Sequence, residues 1–270
     1  DGMVGCNAPG LPADLSTRSC KLLEHGMRHF TTLMAVQARR DSGWMALSGG
    51  HMPDSTTYQP GSSIYWTMSL WALHNAGIPV AEFWPWIAHN LASNYLHQTT
   101  PRMKGLVSYG DVDKYADNTA ESASPLLYQF HADLIAMQMG LLHAAGRDKE
   151  AGWARGYMNK NVAVDNFQNR AHMLLFDTAS IAEVDYKTQL PPTFFDSGLG
   201  MLSDRTSWSE GAAMLVARAG WSGIDHSQEE QGHFQWYRKG RWLTHESIAY
   251  EGVASQAPGH NVMQMEVLYN

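Results

Sequence analysis

The densest set of groups able to do chemistry in this 270-residue chain is Asp225-His226-Ser227-Gln228-Glu229-Glu230-Gln231-Gly232-His233. Two histidines and three carboxylates fall within nine positions there. An imidazole near neutrality can take or give a proton, and a carboxylate beside it can orient the ring. The same groups can ligate a metal, and a solvated acidic loop is the alternative reading. His245-Glu246 and His260-Asn261 form a second set, able to meet as ligands or to remain a strand-end charge and a loop histidine. A third set is Tyr58 and Tyr65-Trp66 around the start of a helix after Gly61. A tyrosine there can protonate a leaving group, or simply pack. Asn7, within Gly5-Cys6-Asn7-Ala8-Pro9-Gly10, reads as a turn residue. Arg238, Lys239 and Arg241 make a basic hairpin, either an anion contact or a solvated turn that resists edge pairing.

Other chemistries find little support. The chain lacks a phosphate-binding glycine loop, a Cys-x-x-Cys pair and a Gly-x-Ser-x-Gly elbow. A glycoside hydrolase would need two carboxylates across a cleft, for which Asp111, Asp113 and Glu121 are the helical-part candidates.

Two kinds of element must position these groups. Up to about Met173 the apolar spacing is helical. It predicts helices over Lys21–Ala38, Ser62–Ala76, Val80–Leu96, Pro125–Ala145, Gly152–Met158 and Val162–Leu175, with Pro85 as a kink or the true first turn. After Pro191-Pro192 the rhythm is strand-like. Ala212–Ala219 is an apolar run, and His233–Tyr237 alternates with Phe234 and Trp236 on one face. Lys239-Gly240 has a hairpin signature, and Asn261–Leu268 alternates again. The chain therefore divides into a helical part, 1–195, and an antiparallel β part, 196–270. Seventy-odd residues are few for a free-standing sandwich, so the expectation is a β domain that continues past Asn270.

Composition sets broader limits. At 44% apolar and 17% charged residues, the chain can build a substantial core. A formal charge of −7 argues against a duplex nucleic-acid binder, although a local basic patch can persist within an acidic average. No apolar stretch reaches membrane-spanning length. Cys6 and Cys20 could pair, but two cysteines make no disulfide framework. Ten tryptophans and eleven tyrosines suit either a carbohydrate cleft or a core.

One stretch is specific enough to carry a resemblance. Asp225, His226, Gln228, Glu230, Phe234, Tyr237, Gly240, Trp242, Leu243 and Glu246, followed by Tyr250 and His260-Asn261, resemble the opening of the C-terminal β domain in the heparinase II/III-like polysaccharide lyases, relatives of alginate lyases. Pro53-Asp54 to Tyr65-Trp66 resembles, more loosely, a family segment that carries a tyrosine. The resemblance implies an α+β chain: an incomplete (α/α) toroid followed by part of an antiparallel β-sandwich. It implies β-elimination on a uronic-acid polysaccharide, in the periplasm or outside the cell. Under it, His226 becomes a base or carboxylate neutraliser, Tyr65 the acid with Tyr58 in reserve, and Asn7 a neutralising amide. Trp66 and Arg238 become substrate contacts. A structural zinc site would map to Gln228, Glu246 and His260. Gln228 stands where the family has histidine, and a neutral amide is a poor zinc ligand, so the expected zinc site is weakened. A carbohydrate-binding relative without catalysis is the alternative.

Overall fold

The structure is a computed structural model. It describes residues 17–18, 21, 25, 49–51, 54–77, 84–111, 129–161, 170–176, 180–220, 226, 228, 230–244 and 260–262. Asn7, Asp113, Glu121, Glu246, the strand expected over Asn261–Leu268 beyond residue 262 and nearly all of the helix expected over Lys21–Ala38 lie outside the described residues.

Helix α1 spans Gln59–Asn75 and takes Pro60 in its first turn, where a missing N–H costs nothing. Helix α2, Trp84–Leu91, runs into a π-helical turn, Ala92–Leu96. Pro85 lies in the first turn of the described part of α2. Helix α3, Gln129–Ala144, is the hub. Leu134, Ile135, Met137, Met139, Leu141 and Leu142 are all buried, because α3 is walled in by α1, α2, α4 (Asp148–Asn161) and α5 (Arg170–Phe176). Apolar residues spread around most of a helix require enclosure of this kind, and the polar His131, Asp133 and Gln138 are buried along with them. Helix α4 extends beyond the expected 152–158 at both ends, and Asp148 and Glu150 in its first turn suit the positive end of the helix dipole.

The β part is a five-stranded antiparallel sheet in sequential order. Its strands are β1 (Phe194–Asp196), β2 (Met201–Arg205), β3 (Met214–Arg218), β4 (Phe234–Arg238) and β5 (Arg241–Thr244). In β4, Phe234 and Trp236 face outward while Gln235 and Tyr237 are buried, matching the expected alternation. On the inner face Met201, Met214, Val216 and Tyr237 form a second core with Val107, Tyr109 and Leu199.

Strands β1 and β2 were not legible as strands. The inward residues of β2 include Ser203 and Arg205, so an apolar period of two is missing. The inward polarity has a purpose. Ser203 Oγ donates to the His97 carbonyl at 2.7 Å, and the Arg205 guanidinium donates to the carbonyls of His97 and Thr99. These bonds cap the exit of the π-helical turn and fasten sheet to helices.

Candidate functional site

Three segments far apart in sequence converge beside the second core. They are Ser55–Tyr58 at the entrance of α1, Gly110-Asp111 at the end of an extended run, and His226. Thr56 N–H donates to the Tyr109 carbonyl at 3.0 Å, and Tyr109 N–H returns a bond to Thr56 Oγ1 at 2.9 Å. Asp111 N–H donates to the His226 carbonyl at 2.9 Å. Gly110 makes this approach possible. A Cβ there would lie 2.5 Å from the His226 carbonyl oxygen and 2.7 Å from Ser55 Cβ, and its φ of +65° suits glycine. His226 itself adopts φ +68°, a left-handed conformation unusual for a side-chain-bearing residue.

At this junction His226 Nδ1 lies 2.9 Å from Asp111 Oδ2. An ionised carboxylate can only accept, so Nδ1 carries the proton of the neutral ring and the lone pair sits at Nε2. Gln228 Nε2 donates to the other oxygen, Asp111 Oδ1, at 2.9 Å. Both carboxylate oxygens are therefore engaged, which fixes the plane presented to the imidazole. The phenol ring of Tyr58 stacks on His226, with centroids 3.6 Å apart and planes 6° from parallel. The His226 side chain is 29% exposed and that of Asp111 16%, so the pair opens to solvent.

A buried ion pair supports the junction from behind. Glu230 and Arg218 are both almost wholly shielded, and the Arg218 guanidinium donates to Glu230 Oε1. Glu230 Oε2 accepts from Gly110 N–H at 3.2 Å. The Arg218 guanidinium also lies 5.3 Å from the centre of the Tyr109 ring. Glu230 thus ties β3 to the residue preceding Asp111.

The residues anticipated from sequence are distributed unevenly. Tyr58 and His226 meet. Tyr65 stands seven residues further on, 73% exposed, on the same side of α1 as Tyr58. The Trp66 ring packs into the helical core, 6.2 Å from Trp86. Arg238 is exposed at the far end of β4. The sequence offers Asp111 only as a hydrolase carboxylate; its pairing with His226 comes from the fold. The available signal was Gly110 directly before an acid, a mark of close backbone approach.

The zinc set fits poorly where it is described. The Gln228 amide nitrogen is committed to Asp111, leaving only an amide oxygen, and the His260 ring sits edge-on to His233 at 5.6 Å. Among the described residues no group of three histidine, cysteine or acidic side chains is arranged to hold a metal.

No protein-family model matches the chain, and no curated protein matches it by sequence. Solved structures do match in fold. Heparinase III aligns with a TM-score of 0.50 at 12% identity, covering 83% of this chain and 30% of its own. Heparan sulfate lyase HepC from Pedobacter heparinus aligns with a TM-score of 0.47 at 14% identity, covering 83% of this chain and 28% of its own. The chain thus spans less than a third of the length of these structures. The likeness to heparinase III is one of fold: packed helices followed by an antiparallel sheet.

Proposed function

We propose that the chain is part of a polysaccharide lyase that cleaves uronic-acid polysaccharide by β-elimination. The observation that carries this reading is the Tyr58 ring stacked on an imidazole held by Asp111. Elimination requires removal of the C5 proton beside a carboxylate and protonation of the departing glycosidic oxygen. His226 Nε2 accepts the C5 proton. The electron pair of that C–H bond becomes the C4–C5 double bond, the C4–O bond breaks, and the leaving oxygen takes a proton from the Tyr58 hydroxyl. Asp111 stabilises the imidazolium that forms, and Gln228 keeps Asp111 in plane. Tyr58 takes the acid role in preference to Tyr65 because it is the tyrosine in contact with His226. Asn7 supplies carboxylate neutralisation by resemblance alone.

The wider architecture belongs to the same proposal. The helices are a portion of an (α/α) toroid, the sheet is one layer of a sandwich, and the division falls near residue 195. Working on such a polymer implies a periplasmic or extracellular site of action, and no described helix is long and apolar enough to cross a membrane. A hydrolase reading loses Asp111, whose two oxygens are engaged by His226 and Gln228 rather than presented to water.

The test is incubation of the protein with heparan sulfate, alginate and hyaluronan while following the far-ultraviolet absorbance of unsaturated uronate. Turnover on one of them, lost in His226→Ala and Tyr58→Phe, is the expected result. A folded protein that yields no unsaturated product on any of them would overturn the lyase reading.

A further inference from the structure

A strip of structure leads away from the candidate site to a cluster of positive charge. Residues 102–110 and 230–240 run side by side in opposite directions. Three contacts mark the run. Gly110 N–H donates to Glu230, the Gln235 amide donates to the Ser108 carbonyl, and the Arg102 guanidinium lies against Gly240. The last contact is close enough that a Cβ on Gly240 would sit 2.6 Å from Arg102 Cζ. His226 and Asp111 occupy one end of this strip. Arg102, Lys104, Arg238, Lys239 and Arg241 occupy the other, and all five are exposed. The length of β4 alone, about 17 Å for five residues, separates the ends.

We propose that Arg102, Lys104, Arg238, Lys239 and Arg241 form a polyanion-binding surface that holds an acidic polysaccharide remote from the bond being cut. The choice of polysaccharide as occupant rests on the lyase reading above. The charge argument is independent of it. Lys104, Arg238, Lys239 and Arg241 make no ion pair among the described residues. Five cations gathered at one edge of a chain with a net charge of −7 create a local potential opposite in sign to the average. The Tyr186 hydroxyl donates to Met103 sulfur at 3.5 Å, which brings Lys187 toward the same edge. Asp185 and Glu210 are the acidic groups that offset Lys187. A linear polymer with an anionic group on successive sugars can engage His226 at one point and this edge several rings away. A small anion would gain little from such dispersed charges, since each exposed contact is weak alone.

The test uses the full chain with Arg238→Gln, Lys239→Asn and Arg241→Gln combined. Asparagine at 239 tolerates the φ of +53° found there, so the hairpin turn is preserved. Binding of a long heparin fraction is measured by calorimetry across a salt series, with circular dichroism to confirm folding. The expected result is roughly tenfold weaker binding and a shallower salt dependence than the wild type. Arg102→Gln, on the other side of the strip, should weaken binding in the same direction. Unchanged affinity and salt slope in both folded variants would overturn the proposal. So would tighter binding of duplex DNA than of heparin by the wild type. Turnover of uronate polymers by the wild type is measured in parallel. Heparin binding that depends on these cations without any turnover would sink the lyase reading and leave the surface standing.

Discussion

Histidine occupies two different environments in two regions of this molecule. His51, His97 and His131 are fully buried. Burial drives each imidazole from 6.5 to about 3, with Arg218 adding to the effect at His51 and Arg205 at His97. His226 keeps 29% side-chain exposure and a carboxylate at 2.9 Å. The acids differ as well. Asp196 lies near His51, but it accepts from the backbone N–H groups of His51, Gly198 and Leu199, so it serves the chain turn more than the ring. Asp111 gives one oxygen to the His226 ring and the other to Gln228. Deep burial holds an imidazole in its neutral form, whereas solvent access beside an oriented carboxylate gives His226 the setting that the proposed proton transfer requires.

The largest effect that would sharpen this contrast is on activity. On a substrate that is turned over, His226→Ala is expected to reduce kcat/KM by about 10²–10⁴-fold, the range of a lost general base. Asp111→Asn should fall in the same range by allowing the wrong tautomer. A loss in His131→Gln as large as that in His226→Ala, with the fold intact, would erase the distinction.

Next comes the support behind the site. Glu230→Gln removes the carboxylate charge that faces the buried Arg218 guanidinium, and should destabilise the fold by about 3–5 kcal/mol. Urea denaturation measures this directly. A change below about 1 kcal/mol would mean that water or another acid reaches Arg218.

Acidification tests the buried histidines. Their folded values lie below their unfolded ones, so between about pH 6.5 and 3 the unfolded chain binds more protons. The stability they confer is complete above pH 6.5 and is lost as the pH falls toward 3. Three such groups give a slope of about 4 kcal/mol per pH unit, summing about 1.4 for each. Urea midpoints at pH 7, 6, 5 and 4 would reveal it, and His131→Gln should flatten the slope by about a third. A pH-independent midpoint over that range would refute the sealed environment.

The smallest effect separates the two tyrosines. Tyr65→Phe should alter stability by no more than about 0.5 kcal/mol, because the ring is exposed. It should also retain turnover that Tyr58→Phe loses. The reverse pattern would move the proton donor to Tyr65.

Much of this molecule was legible in the order of its residues. Helical spacing identified α1 and α3, alternation identified β4, and Lys239-Gly240 located the β4–β5 turn. His226 stood out because its neighbours matched a spaced pattern. All of these are local properties: backbone propensity, periodic burial and short-range spacing act within a few residues. The pairings were not legible. Asp111 reaches His226 across 115 positions, through a junction whose close approach at Gly110 leaves no room for a side chain. Tyr58 meets the imidazole because the α1 entrance is bonded to Tyr109, while Trp66, next to Tyr65, turns into the helical core. Gln228 reads as a lost metal ligand by type, yet in place it orients the carboxylate behind the histidine. Residue types set which chemistry was available; long-range packing, which no local pattern encodes, decided which groups share it.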